Sequence, residues 1–317
     1  MRHGGPRGVF LALGSAVAFG SAGPFSKAIL LGGAMSPLRL AQFRITMAAV
    51  VLLIIVGARR AGRPRSTYRW TRADRGLVLA YGALGFVAVQ VCYFVAIDRL
   101  PVGVALLLEY ISVVLVALYA ALVQRRPQPR AVWLGVVLAV AGLLVLTQPW
   151  HGFRLDALGV VAGCGAAVGS AAYFLLGEHG TARLPTLELI AYSAATAAGL
   201  LAIAMPWWTF PFSALGGSYG FAGRSWPAWA LLTMIVIVGT VVAYLLGVSS
   251  LRHLASPSAT VIATLEILVG ALAAWVFLDE GLTATELTGG GIIFIGVVVV
   301  AERARIPRGT PGKAAVD

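Results

Sequence analysis

The sequence predicts an all-α polytopic membrane protein, with ten transmembrane helices arranged as two inverted five-helix repeats. Three observations lead there. The first is composition. Hydrophobic residues make up 59% of the 317 residues and charged residues 11%, with a mean hydropathy of +0.90; soluble domains carry about a quarter charged residues. The second is a succession of apolar runs close to the ~20 residues that a bilayer core demands. The third is a duplicated carboxylate. Residues 100–117, LPVGVALLLEYISVVLVA, hold Glu109 inside an apolar run, and residues 257–273, PSATVIATLEILVGALA, hold Glu266 in the matching place. A carboxylate there has no water shell and is tolerated only when paired, protonated or facing a cavity.

The spans are expected over residues 9–31, 37–56, 76–97, 102–123, 131–147, 157–177, 189–208, 229–250, 256–278 and 287–301. The first follows Arg2 and Arg7 and contains Gly20-Ser21-Ala22, a pattern like a signal-peptide cleavage site. It continues to Leu31, longer than a signal core, and reads as a span. The fifth and tenth are short. Of the 24 Lys and Arg residues, 18 fall in the termini and alternate connections, including seven from Arg59 to Arg75. Only Arg99, Arg154 and Arg224 fall in the others, and Lys27, Arg39 and Arg44 lie within or at the edge of spans. By the positive-inside rule, this bias places both termini in the cytoplasm.

The longest outer connection, about 209–228, is flanked by Trp207, Trp208, Phe210, Phe212, Trp226 and Trp229. Such residues favour the headgroup level, so it reads as an interfacial anchor, with a gating role as the alternative. The tail, 304–317, reads as a disordered cytoplasmic segment. The net charge of +12 sits in short loops, where it orients the chain and meets anionic lipid rather than nucleic acid. Cys92 and Cys164 each fall in an apolar run, as small buried residues.

The internal repeat sets the domain organisation: a first five-helix unit over 1–152 and a second over 153–303. Gly20-Ser21-Ala22 matches Gly169-Ser170-Ala171 at an offset of 149, Glu109 matches Glu266 at 157, and Gly135 and Gly142 match Gly289 and Gly296 at 154. A drift of this kind follows from unequal loops. Because each unit has five spans, an odd number, the second must cross in the opposite sense, an arrangement that in many transporters places a substrate site near the midplane. Small-residue pairs at Gly159/Gly163 and Gly165/Gly169 read as helix packing.

The chain resembles the drug/metabolite transporter superfamily, and within it the EamA-like family of ten-span carriers. The resemblance covers nearly everything from Val9 to Ala301. It is carried by GSAGPFSK (20–27), with its glycine followed by Lys27; by Arg44 in AQFRITMAAVVLL; by LLLEY (106–110) and TLEI (264–267) around the two glutamates; and by FLDEGLTATELTGGGIIFIG (277–296). LPVGVALLLEY (100–110) looks most like the threonine and homoserine exporter branch. No single motif is specific; their order, spacing and duplication are more so. The family commonly has proline after each glutamate, where this chain has Tyr110 and Ile267. Without that ring, spans four and nine are expected to run straighter. The resemblance implies a secondary carrier of the bacterial inner membrane that exports a small metabolite such as an amino acid or its derivative.

Two roles fit Glu109 and Glu266: proton coupling, or a satisfied structural bond to a neighbouring span. Arg44 is a candidate partner, about 10 Å deep from the outer side, with Glu109 about 12 Å deep. Lys27 either snorkels to the headgroups or meets a substrate carboxylate. Tyr110 directly follows the first glutamate. Gln90 with Tyr93, Ser170 with Tyr173, Thr240 with Tyr244 and Thr260 with Thr264 each share a helix face. They read either as the lining of a weakly polar, aromatic cavity or as interhelical hydrogen bonds.

A primary pump is disfavoured because the chain has no GxxxxGK[ST] loop. A membrane-embedded enzyme lacks its constellation, since His3, His151, His179 and His253 all lie in loops or at span ends. No cofactor or metal is expected, and the partners are a small-molecule substrate, lipid and, if coupled, protons. The chain works as a monomer or a homodimer. A non-transporting scaffold or lipid scramblase is the alternative class. Arg44→Ala is expected to harm transport or folding; wild-type transport at normal expression would overturn a role for Arg44.

Overall fold

The computed structural model describes residues 6–61, 70–149, 156–278 and 281–305. Among them are ten helices long and apolar enough to cross a membrane: α1 (Pro6–Leu31), α2 (Pro37–Ala61), α3 (Arg72–Arg99), α4 (Val102–Val123), α5 (Arg130–Thr147), α6 (Ala157–Arg183), α7 (Thr186–Ala204), α8 (Ala228–Ser250), α9 (Ser256–Leu278) and α10 (Ala284–Arg305). Several sequence readings fall outside the described residues: the basic stretch 62–69, residues 150–155 with His151 and Arg154, the acidic pair Asp279 and Glu280, His3, and the tail from 306 onward.

Polar residues set the starts of α3 and α6. Thr71 and Asp74 form a reciprocal capping box at α3, with Thr71 Oγ1 accepting from the Asp74 N–H at 3.1 Å. Asp156 Oδ1 accepts from the Gly159 N–H at 2.8 Å to cap α6. The seventh span departs from expectation. It stops at Ala204, short of Trp208, because Pro206 cannot continue the ladder and Trp207–Thr209 turn into a 3-10 segment. Ala304 and Arg305, read as tail, are the last residues of α10.

The connection after α7 holds the sheet found among the described residues, an antiparallel pair of β1 (Ser218–Phe221) and β2 (Arg224–Pro227). Ala222 and Gly223 between them both have positive φ, 51° and 69°. That is the backbone of a two-residue primed turn, whose twist matches the strands. Trp208, Phe212, Trp226 and Trp229 around it are exposed, as an interfacial anchor requires, while Phe210 is buried against Phe43. The Arg305 guanidinium lies over the Phe10 ring at 5.4 Å, so the first and last helices end together. We call this the termini end and the opposite one the hairpin end.

Helix pairs occur in mates. Spans α1 and α9 pack together, and so do α6 and α4; α1 packs on α8, and α6 on α3. Helices α2 and α7 pair with each other, as do α5 and α10. Exchanging each helix with the one five places later maps this set onto itself, which is the signature of a pseudo-two-fold relation between five-helix halves. The α5–α10 crossing shows it at residue level. A Cβ built on Gly142 would lie 2.6 Å from the Gly289 carbonyl oxygen, and one on Gly135 3.3 Å from the Gly296 carbonyl oxygen. The two contacts are exchanged by the repeat offset, and they run antiparallel. Glycine at these positions lets the backbones touch, which is how helices gain contact where lipid removes the hydrophobic drive.

Two large buried clusters hold the bundle. One joins α2, α3, α7 and α8 around Ile45, Leu52, Tyr81, Phe86, Leu189 and Val248. The other joins α1, α4, α5, α9 and α10 around Val9, Val113, Val136, Ile262 and Val297. The Gly142→Leu protein is expected to lose about 1–3 kcal/mol of stability, the usual cost of overpacking. A lowered thermal midpoint in detergent checks this; an unchanged midpoint would mean that α5 and α10 do not need their close approach.

Candidate functional site

The helices that carry the two glutamates are interrupted beside them. In α4 the regular ladder breaks at Ile111, whose N–H reaches the Leu108 carbonyl at 3.2 Å; in α9 it breaks at Thr264, whose N–H reaches the Val261 carbonyl at 3.2 Å. This corrects the expectation of straighter helices. Proline is not required, because the tightened i→i+3 turn is itself hydrogen-bonded, and in α9 the Thr264 hydroxyl donates to the Val261 carbonyl at 2.7 Å. Glu109 lies just before one break and Glu266 just after the other. Around these points the termini-end halves of α4 and α9, Ser112–Leu118 and Ser256–Ala263, pack together, while the hairpin-end halves splay. Both carboxylates therefore sit where the bundle opens, and both are half-buried.

A second pair of distortions flanks them. Helices α3 and α8, mates in the repeat, each contain a widened π-helical stretch, Tyr81–Ala88 and Ile237–Val242. In α8 the Thr240 hydroxyl closes it by donating to the Ile235 carbonyl at 2.8 Å. Such turns re-aim the side chains that follow and recur at functional sites. Here the residues that follow are Gln90 and Tyr244.

Most of the sequence-derived candidates converge. The Tyr110 hydroxyl donates to Glu266 Oε1. The Tyr244 hydroxyl lies close to Arg44 and Gln90. Arg44 is within electrostatic reach of Glu266, Glu109 and Glu266 of each other, and Tyr93 of both. Arg44 Nε is buried and has no acceptor among the described residues. The cation and amide side thus comes from the α2–α3–α7–α8 cluster, and the carboxylate side from the α1–α4–α5–α9–α10 cluster. Gly20, in the first-span motif, backs onto the site: a Cβ there would lie 2.5 Å from the Glu266 carbonyl oxygen.

The other candidates lie elsewhere. Thr264 is buried with its hydroxyl engaged by its own helix, as are Thr240 and Thr260. Lys27 is exposed near the hairpin end of α1. Tyr173, at the edge of the group and within electrostatic reach of Glu266, belongs to an aromatic floor on the termini side of the carboxylates. There its ring stacks on Tyr81 at 5.6 Å and meets Phe86 at 6.1 Å, while Phe86 stacks on Tyr244 at 4.5 Å and Phe19 meets Tyr244 edge-on at 5.1 Å. Sequence reasoning missed Tyr81, Phe86 and Phe19; in apolar spans aromatic residues carry no signal of which ones will meet. It also missed the clamp made by Arg39, read only as lying within or at the edge of a span. Arg39 Nη1 donates to Gln42 Oε1 at 2.7 Å and to the Met205 carbonyl at 3.2 Å, and buried Gln42 donates to that carbonyl at 2.6 Å. Among the described residues no cluster of His, Cys, Asp and Glu suits a metal ion.

The model of the EamA-like transporter family matches the chain twice, over residues 6–148 and 157–301, once for each five-helix half. The chain belongs to the EamA-like transporter family. This EamA-like protein is accordingly a multi-pass membrane transporter and not an enzyme. It is 29% identical over 254 residues to the pseudopaline exporter CntI of Pseudomonas aeruginosa, covering 79% of this chain and 81% of that one. It is 29% identical over 232 residues to the threonine/homoserine exporter RhtA of Escherichia coli, covering 71% and 70%. A solved crystal structure shares the fold with a TM-score of 0.71 at 18% identity, over 94% of this chain and 97% of that one.

Tyr110→Phe removes the hydroxyl that meets Glu266 and keeps the ring. Losing a hydrogen bond to a charged group costs about 1.5–3 kcal/mol, so transport by this EamA-like carrier is expected to fall about 10- to 100-fold with the fold retained. Initial rates in reconstituted vesicles check it; wild-type rates would remove Tyr110 from the site.

Proposed function

We propose that this protein is a secondary active exporter of a small zwitterionic metabolite, an amino acid or amino-acid derivative, in the bacterial inner membrane with both termini cytoplasmic. The observation that carries the reading is the half-buried grouping of Arg44 with Glu109 and Glu266. Arg44 keeps a donor without a protein acceptor among the described residues, which suits a substrate carboxylate. The carboxylates opposite suit an ammonium group. The relatives named for exporting threonine, homoserine and pseudopaline support the substrate class and the direction.

Coupling follows from charge counting. One arginine does not balance two carboxylates in a hydrocarbon slab, so the remaining charge is met by a proton or by the substrate ammonium group. Exchange of one for the other links substrate movement to proton movement. The units 1–152 and 153–303 supply the alternating access, rocking about the site as inverted repeats do. One chain supplies every residue of the site, so a monomer suffices. The orientation rests on the arginine bias, which places the termini end in the cytoplasm.

Vesicle counterflow tests this reading. Threonine is expected to exchange without any gradient, whereas N-acetylthreonine and threonine amide, each lacking one charge, exchange at least about tenfold more slowly. A pH gradient is expected to drive accumulation in the wild type. The Glu109→Gln and Glu266→Gln proteins lose that drive. Lipid movement without solute exchange would replace the carrier with a scramblase.

A further inference from the structure

The termini end is closed by more than apolar packing. Glu178, in the last turns of α6, reaches across to α9. Its Oε2 accepts from the Ser256 N–H at 2.8 Å and from Ser256 Oγ at 2.5 Å; its Oε1 accepts from Arg126 Nη1 at 3.0 Å. Ser256 Oγ also stands 3.0 Å from the Phe174 carbonyl oxygen of α6, and its single proton serves one acceptor at a time. Ser256 is fully buried and opens α9, and the residue before it, Ala255, has no side-chain oxygen to cap the helix. A helix start leaves N–H groups unmet and carries partial positive charge. Glu178 supplies from another helix the cap that α9 lacks.

This junction differs from the other ion pairs at that end. Arg183–Asp74 at 3.4 Å ties α6 to α3, and Arg60–Glu188 at 3.2 Å ties α2 to α7. Glu178 instead gathers α6, the start of α9 and the segment just after α4, so it binds the helices that bear Tyr173, Glu266 and Glu109. Among the described residues Glu178 has no acidic counterpart across the pseudo-two-fold. The offset of 149 that relates α1 to α6 brings Glu178 onto Ile29, a buried apolar residue. The start of α4 has Pro101 before it and no side-chain cap. Among the described residues the bundle therefore carries this polar lock at one end and no such junction at Ile29 or at the start of α4, and it is at the locked end that α4 and α9 are packed.

We propose that Glu178 is the latch of the termini-end gate: its bonds to Ser256 and Arg126 hold that end closed, and their release lets α9 and α4 part so that the site opens there. The proposal rests on the alternating-access reading above, and its test needs no substrate. Spin labels on Ala182→Cys and Arg252→Cys, both exposed positions, with Cys92 and Cys164 replaced by serine, report the separation of the two sides of the gate in lipid nanodiscs. In Glu178→Ala the ratio of long to short distances is expected to rise about tenfold or more, as the loss of a charge-assisted bond implies. Glu178→Gln and Ser256→Ala, each removing part of the junction, shift it less and in the same direction. An unchanged distribution in Glu178→Ala would overturn the latch. Failure of all three variants to yield monodisperse protein would also overturn it, making Glu178 a residue of the fold. A gate that responds in a protein that exchanges no amino acid would leave the latch standing and sink the substrate assignment instead.

Discussion

Hydrocarbon offers no partner to a polar group, and the architecture follows from meeting that demand for two carboxylates and one arginine. Glu109 and Glu266 are held where α4 and α9 break and begin to splay. The break and the charge belong together. A continuous helix has its backbone groups satisfied along its length, whereas a tightened turn shifts the ladder and lets two helices diverge from one point. Tyr110, Arg44, Tyr93 and Tyr244 then lie around the carboxylates, with Gln90 beside Tyr244. Beneath them the ring cluster of Phe19, Tyr81, Phe86, Tyr173 and Tyr244 closes the way toward the termini end.

Symmetry explains how one chain builds this economically, and departures from symmetry distinguish its two ends. The α5–α10 crossing at Gly142 and Gly289 is close because backbones touch with no side chain between them. The mates α3 and α8 share π-helical stretches, and the mates α4 and α9 share breaks. Yet a carrier with two identical ends would have no preferred state. The polar junction at the start of α9, the hairpin after α7 and the Arg39 clamp each occur in one half only among the described residues. The hairpin turn bonds to α9 through the Ala222 N–H and the Phe277 carbonyl at 3.1 Å, and Phe25, Phe221 and Phe277 meet there. So α9 is held at both ends by contacts that, among the described residues, its mate α4 does not make.

Much of the site was legible because burying charge in an apolar run is costly and so leaves a visible mark. Glu109, Glu266 and Arg44 stand out against leucine, valine and alanine, and the duplication pairs the two acids before any contact is known. Gln90, Tyr93 and Tyr244 were legible through helical spacing. Thr240, Thr260 and Thr264 share that spacing, yet their hydroxyls bond to their own helices, a choice that depends on rotamer and not on position. Lys27 has the length to reach either headgroups or cavity, and the sequence does not say which.

The sequence by itself determined the membrane class, the ten spans, the doubling and the family, because each is written in hydropathy, length and period, which need no partner to be read. The tertiary structure decided which face each helix turns inward, where α4 and α9 separate, and which glutamate is bound by Tyr110. It also decided that Glu178, one more acid near a helix end, caps another helix. Those are relations between residues far apart in the chain, and in lipid they are set by the close fit of backbones and the pairing of buried polar groups, neither of which leaves a local pattern.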